Sequence, residues 1–233
     1  MNIAIIGYGK MGHEIEKAAR ARGINIVSTI DPDNSSATHK NIDENSLKNA
    51  DVCIDFTNPG AVVGNIKKIS KFKKNIVVGT TGWHNQINEA RKIVRQNGIG
   101  LIYASNFSIG VNVFFRMIEN AAKIMNNLND YGVFGYELHH SRKLDSPSGT
   151  AKTIERILVE NIKRIKEVNF ASVRAGSIPG THVVGFDSSA DTIELKHTAR
   201  NREGFALGAV MAAEWIKNKK GFFEINDMMK DLI

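Results

Sequence analysis

At 233 residues the chain can form one large domain or two small ones, and 42% hydrophobic with 24% charged residues is the composition of a globular protein with a full core. No apolar run reaches the roughly eighteen residues a membrane span needs, and a single cysteine excludes an intramolecular disulfide or a cysteine-rich metal site. Lys and Arg number 31 against 24 Asp and Glu, a net +7 that suits an anionic cofactor, an acidic metabolite or nucleic acid, but no zinc-finger or RNA-binding motif accompanies it.

Asn2 to Ile6 reads as a short buried strand, and its start lacks the basic segment of a secretory signal. Gly7-Tyr8-Gly9-Lys10-Met11-Gly12 follows and opens a helical run to Arg22. This is G-x-G-x-x-G between a strand and a helix, the context of a dinucleotide fingerprint. Gly7 permits the tight turn, Gly9 lets a pyrophosphate approach the backbone, and Gly12 lets helix and strand pack closely. Asn25 to Ile30 is a second strand ending at Asp31, nineteen residues after Gly12, where an acid accepts hydrogen bonds from the adenosine ribose. Asp31 repels a 2′-phosphate, so NADH is slightly favoured over NADPH; Lys10 and Lys40 moderate that preference.

Asp33 to Asn45 is polar and aperiodic and reads as a loop with one short helical turn. Three further strands are expected at Asp51–Phe56, Asn75–Val78 and Ile99–Tyr103, separated by helices from Pro59 to about Phe72 and over Asn85–Gln96. Cys53 lies inside the first of them and is expected to be a core thiol. Alternation of strand and helix predicts a Rossmann-type doubly wound parallel sheet. Ligands bind at the carboxyl ends of such strands. The loops Thr57-Asn58, Gly79-Thr80-Thr81-Gly82 and Ala104-Ser105-Asn106-Phe107 are therefore expected to face the cofactor.

A helix is expected over Ser108–Asn127, and from Tyr131 the pattern changes. Strands at Val133–Leu138, Phe170–Arg174, His182–Phe186 and Thr192–His197, with one helix from about Ser148, predict a second α+β domain with a mixed sheet. Arg202–Lys217 is helical, and Phe222–Leu232 is expected to return to the first domain. The expected division is 1–107 with 203–233 for the dinucleotide and 108–202 for the substrate, hinged near Ser108.

The chemistry concentrates between Glu137 and Ala151. His139 and His140 follow a strand, and a histidine titrates near neutral pH. Lys143 supplies a fixed positive charge. Ser148-Gly149-Thr150 opens a helix whose free N–H groups favour an anion. A proton donor, a cation and an anion cradle suit a small dicarboxylate. Arg174, Arg200 and Arg202 can also bind a carboxylate, although surface or interface pairing is the favoured reading. The histidines lack zinc spacing, so no metal is expected.

These segments resemble the bacterial dihydrodipicolinate reductase family nearly from end to end. The resemblance is carried by the fingerprint, Asp55-Phe56-Thr57, Gly79 to Gly82 and Asn106-Phe107-Ser108-x-Gly110-x-Asn112. Above all it is carried by Glu137-x-His139-His140 with Lys143-x-Asp145-x-Pro147-Ser148-Gly149-Thr150-Ala151, and further on by Arg174-x-Gly176, His182 and His197-x-Ala199-x-x-Arg202. It implies reduction of a cyclic imine dicarboxylate by NADH or NADPH in lysine and diaminopimelate biosynthesis, in a cytoplasmic homotetramer built through the second domain. It implies His139 as acid/base, Lys143 as second catalytic residue, and His140, Gly149 and Thr150 as substrate contacts. It also implies cofactor contacts at Gly7 to Gly12, Asp31, Gly79 to Thr81 and Ala104 to Phe107. Lys10 stands where the family usually has Arg, Ser146 replaces a usual Ala, and the segment between Asp31 and Asp51 is shorter than in longer members. Neither nucleic acid nor membrane is an expected partner. A different two-domain oxidoreductase would explain the fingerprint but not the segment from Glu137. A redox-sensing DNA binder would lack its helix-turn-helix.

Overall fold

The structure, a computed structural model, describes residues 1–232. The chain divides into two compact units: Met1–Ile109 with the segment from Arg202 onward, and Gly110–Asn201.

In the first unit β1 (Asn2–Ile6), β2 (Asn25–Ile30), β3 (Val52–Asp55), β4 (Asn75–Val78) and β5 (Gly100–Tyr103) alternate with α1 (Lys10–Ala21), α2 (Glu44–Leu47), α3 (Val62–Lys71) and α4 (Ile87–Asn97). After α5 (Ile109–Met125) and the second unit, the chain returns as α7 (Glu203–Ile216), β10 (Gly221–Glu224) and α8 (Ile225–Leu232). All pairings are parallel, in the order β10-β5-β4-β3-β1-β2. Such a sheet is covered on both faces, which is why its strands are continuously apolar. Ala4, Cys53, Ile76 and Leu101 are register partners and pack with Val62, Ile66, Ile69, Ile93 and Val94 of α3 and α4. The alternate residues Ile3, Ile5, Ile54, Val77 and Ile102 are equally buried on the other face. α7 rests on β3, β4 and β5 and packs against α1. The edge strand β10 beside β5 was not expected, because its four residues run into α8 without a turn signal.

Strand order reverses between β1's two neighbours, β2 and β3, and the fingerprint sits at that switch point. Gly7 has φ +84°, and a Cβ there would stand 2.3 Å from the Phe56 carbonyl oxygen at the end of β3. A Cβ on Gly12 would stand 2.5 Å from the Gly7 carbonyl oxygen, so this third glycine of the fingerprint lets α1 seat on the turn.

In the second unit β6 (Gly132–His139), β7 (Phe170–Arg174), β8 (Thr181–Asp187) and β9 (Thr192–Thr198) form a mixed sheet in the order β7-β6-β8-β9, with α6 at Gly149–Asn161. β6 pairs β7 in parallel and β8 antiparallel, and β8 pairs β9 antiparallel. Side chains alternate across a strand. One face therefore carries Val133, Gly135, Glu137 and His139 of β6, and Phe186, Val184 and His182 of β8 opposite them. From β7 and β9 it takes Phe170, Ser172, Arg174, Leu195 and His197. The apolar end of this face closes on Phe114, Ile118, Ile154 and Leu158 of α5 and α6. Its other end is polar.

Candidate active site

In the first unit a cleft of about 460 Å³ opens at the carboxyl ends of β1, β2 and β3, lined by Gly7, Gly9, Asp31, Lys40, Thr57 and Lys68 among others. Space for a Cβ at Gly9 is open to 4 Å, and the first turn of α1 has neither an acidic residue nor a side-chain cap. The amide groups of Lys10, Met11 and Gly12 thus form a positive helix start beside an uncrowded turn, which fits a pyrophosphate. Asp31 is half-buried; its Oδ2 accepts from Tyr8 N at 2.8 Å and its Oδ1 from Asp33 N and Asn34 N at 3.0 and 3.1 Å. Burial pushes its carboxyl up, but these amides outweigh burial and hold it below its ordinary value. It is therefore ionised, with lone pairs left for hydroxyl donors.

Two of the other expected cofactor loops, those after β3 and β4, are fastened by a residue to which the sequence assigned no role. Asp55 ends β3 fully buried and accepts from Thr57 N (3.1 Å), Thr57 Oγ1 (2.7 Å), Asn65 Nδ2 (2.8 Å) and Thr80 Oγ1 (3.2 Å). Thr57 N also donates to Thr80 Oγ1 at 2.8 Å. One carboxylate so joins the loops after β3 and β4. Thr80 and Phe107 are buried, whereas Thr81 and Ser105 are exposed. Cys53 lies in the core with its thiol pushed up to about 12 by burial, so it is not a nucleophile.

In the second unit the polar end of the sheet face gathers around Glu137. This carboxylate is fully buried; its Oε1 accepts from Ser148 N (2.9 Å), Ser172 Oγ (2.9 Å) and Arg174 Nη2 (2.7 Å). Its Oε2 faces His139 Nδ1 at 3.5 Å and His182 Nε2 at 3.4 Å. The His139 and His182 rings meet edge to face, with centroids 5.1 Å apart. Burial pushes Glu137 up, but donors from Ser148, Arg174 and Ser172 prevail and hold it at about 2. Burial lowers His139; Glu137 opposes that shift, while Lys143 and Arg174 reinforce it. His182 is pushed down to about 4, first by burial and then by His139.

Arg174 corrects the sequence reading. Instead of surface or interface pairing, its Nη2 holds Glu137 and also donates to the Asp145 carbonyl at 2.7 Å, because β7 pairs beside β6 in register with His139. Glu137, His139 and His182 offer three ligand atoms within 4.8 Å of one another, yet the carboxylate's charge is already matched by Arg174. Lys143 is three-quarters buried and paired to Asp145 at 2.7 Å. The Asp145 carboxyl is held down by Lys143 and, further along, by the Gly149 amide. Ser148 caps α6, its Oγ accepting from Ala151 N at 3.2 Å. Gly149 has nothing within 4 Å of its Cβ position, so the helix start is open on that side. His140 is half-buried beside this loop. Of the expected substrate-side residues, the fold thus gathers His139, Lys143, Ser148 and Gly149 around one segment and adds Glu137, Arg174 and His182. Spacing two apart on a strand signals that Glu137 and His139 share a face; the partners on β7 and β8 depend on register, which no local pattern reveals.

Two family models match this chain: dihydrodipicolinate reductase, N-terminus, over residues 1–107, and dihydrodipicolinate reductase, C-terminus, over residues 110–229. A 4-hydroxy-tetrahydrodipicolinate reductase of Christiangramia forsetii is 43% identical over 242 residues, covering 100% of this chain and 99% of the relative. The enzyme of that name from Buchnera aphidicola of Schizaphis graminum is 39% identical, covering 82% and 75%. Among solved structures, dipicolinate-bound dihydrodipicolinate reductase from Paenisporosarcina superposes with a TM-score of 0.82 over 97% of this chain and 98% of that one, at 22% identity. A myo-inositol dehydrogenase from Corynebacterium glutamicum shares the fold more loosely, with a TM-score of 0.54 at 12% identity over 95% and 90%. The chain is an oxidoreductase, and its Rossmann-type unit implies a nicotinamide cofactor. By both family models and by its full-length relative from Christiangramia forsetii, the chain belongs to the dihydrodipicolinate reductase family.

Proposed function

We propose that the chain reduces 4-hydroxy-tetrahydrodipicolinate, by way of its cyclic imine, to tetrahydrodipicolinate in diaminopimelate and lysine formation, with His139 as proton donor. The observation that carries this reading is the convergence of a buried imidazole with its own carboxylate, a lysine and an open helix start around one loop. The Gly7–Gly12 turn, Asp31 and the loops at Gly79–Thr81 and Ala104–Phe107 would hold the reduced nicotinamide, which would supply the hydride. His139 then gives a proton to carbon, for which general acid catalysis contributes roughly 10²–10⁴-fold. Lys143 exchanges Asp145 for a substrate carboxylate, and the amides of Gly149 and Thr150, beside Ser148 and His140, hold the other.

Asp31 gives NADH a modest advantage; Lys40 and Lys68 line the cleft with it and soften its repulsion of a 2′-phosphate. The sheet face opposite the site presents Phe134, Tyr136 and Leu138 half-buried and Val173 exposed, a surface suited to burial between copies in a homotetramer. Among the described residues no helix is long and apolar enough to cross a membrane, and the lone buried thiol suits a reducing cytoplasm. The test is to supply the condensation product of pyruvate and aspartate semialdehyde with each reduced nicotinamide. Oxidation of the nicotinamide that depends on this product supports the assignment. A lack of turnover with both nicotinamides contradicts it.

A further inference from the structure

We infer that Glu137 is a positioning residue for the reaction: its buried carboxylate holds His139 with the proton on Nδ1, leaving Nε2 as the atom that exchanges a proton with substrate. The inference rests on the reading of His139 as the acid.

Glu137 cannot move. Three donors from three segments fix Oε1: the amide of Ser148 at the start of α6, the hydroxyl of Ser172 and the guanidinium of Arg174 on β7. The other oxygen, Oε2, is buried and makes no formed hydrogen bond; His139 Nδ1, itself buried and unpartnered, stands 3.5 Å from it, and His182 Nε2 stands 3.4 Å away. A buried carboxylate oxygen requires a donor. His182 Nε2 has a second neighbour, the Ser148 hydroxyl at 3.1 Å. That hydroxyl accepts from Ala151 N and neighbours both the Glu137 carboxylate and His182 Nε2; in the inferred arrangement its proton goes to His182 Nε2. With Nε2 accepting, His182 carries its proton on Nδ1 and has none to offer Glu137. The donor to Oε2 is then His139 Nδ1–H. His139 Nε2 lies 3.2 Å from where a Cβ on Gly180 would stand, so that side of the ring is cleared of side chain.

The proton balance follows. Imidazolium His139 gives up the proton on Nε2, substrate carbon takes it, and a neutral ring remains with Nδ1–H still on Glu137. Solvent restores the lost proton. The charged and titratable groups around the ring are Glu137 on its own strand, Arg174 on β7, His182 on β8, and Lys143 and Asp145 in the following loop. Arg174 and Lys143 oppose the imidazolium, and Glu137 is the carboxylate aimed at it.

The experiment pairs ring ¹⁵N NMR of the unmodified protein with the pH dependence of kcat for Glu137→Gln, Glu137→Asp and His139→Gln. The expected spectrum shows neutral His139 protonated on Nδ1. Removing the charge in Glu137→Gln is expected to move the alkaline limb of kcat down by about one pH unit and to lower kcat near neutrality by roughly tenfold, with KM within about twofold. Glu137→Asp, which keeps the charge, is expected to recover most of the shift. Neutral His139 protonated on Nε2, or an unmoved limb in a folded Glu137→Gln, overturns the inference. The spectrum decides should Glu137→Gln not fold. Near-normal kcat in His139→Gln overturns the acid assignment itself, whereas a large loss there with an unmoved limb in Glu137→Gln overturns only the role of Glu137.

Discussion

At the scale of single residues, the two sites each depend on a carboxylate whose burial is offset by donors rather than by exposure. Asp31 shows the cost of that arrangement for specificity. Three amides already occupy it, so its charge is partly spent, and Lys40 and Lys68 share the cleft. A 2′-phosphate would meet both signs of charge. Comparing kcat/KM for NADH and NADPH is expected to give a preference for NADH of less than about tenfold, since tenfold corresponds to roughly 1.4 kcal/mol. A clear preference for NADPH would show that Asp31 does not set the choice.

Among the elements, α6 has the most specific function. Ser148 serves as its cap, as a donor to Glu137 and as a neighbour of His182, so one residue ties the helix start to the Glu137 cluster. Gly149 is the first residue of α6, a position where proline is tolerated because the N–H makes no helical bond. Gly149→Pro therefore removes one amide from the cradle while leaving the helix. Its expected effect is a KM for the dicarboxylate raised by roughly tenfold with kcat less affected; an unchanged KM would remove this amide from the binding site. Elements were largely legible in the sequence because their signals are local. The apolar runs of β1, β3, β4 and β5, the Ser148 cap and the fingerprint each declare themselves within a few residues. β10 did not, being short and joined directly to α8. The cluster around Glu137 was legible only in part: Glu137 and His139 lie two apart on one strand, but Arg174 and His182 reach them through β7 and β8 pairings. Asp55 stood within a quoted motif, yet its role depends on the loop after β4 coming alongside.

For the whole molecule, the buried polar end of the second unit ties stability to pH. His182 is held at about 4 against an ordinary 6.5, so between these values the unfolded chain binds more protons. Its contribution, on the order of 3 kcal/mol, is full above pH 6.5 and is lost as pH falls through 4. Glu137, held at about 2 against 4.5, adds a contribution present above 4.5 and lost as pH falls toward 2. The urea midpoint of unfolding is expected to drop from pH 6.5 to 4 and further below it, and His182→Asn is expected to flatten the first step. A midpoint that stays level between pH 6.5 and 4 would contradict the neutral, buried imidazole.

Steady-state kinetics of His139→Gln, with cofactor affinity measured separately and Lys143→Ala and the double variant alongside, decide whether His139 supplies the proton. His139→Gln is expected to lower kcat by roughly 10²-fold or more. Nicotinamide affinity should stay near that of the unmodified chain, because the fingerprint lies in the other unit. Lys143→Ala is expected to lower kcat and raise KM together. The double variant should lose less than the product of the single losses, since both residues act on one transition state. A near-normal kcat in His139→Gln would exclude His139 as the acid and pass the proton to His140 or to solvent.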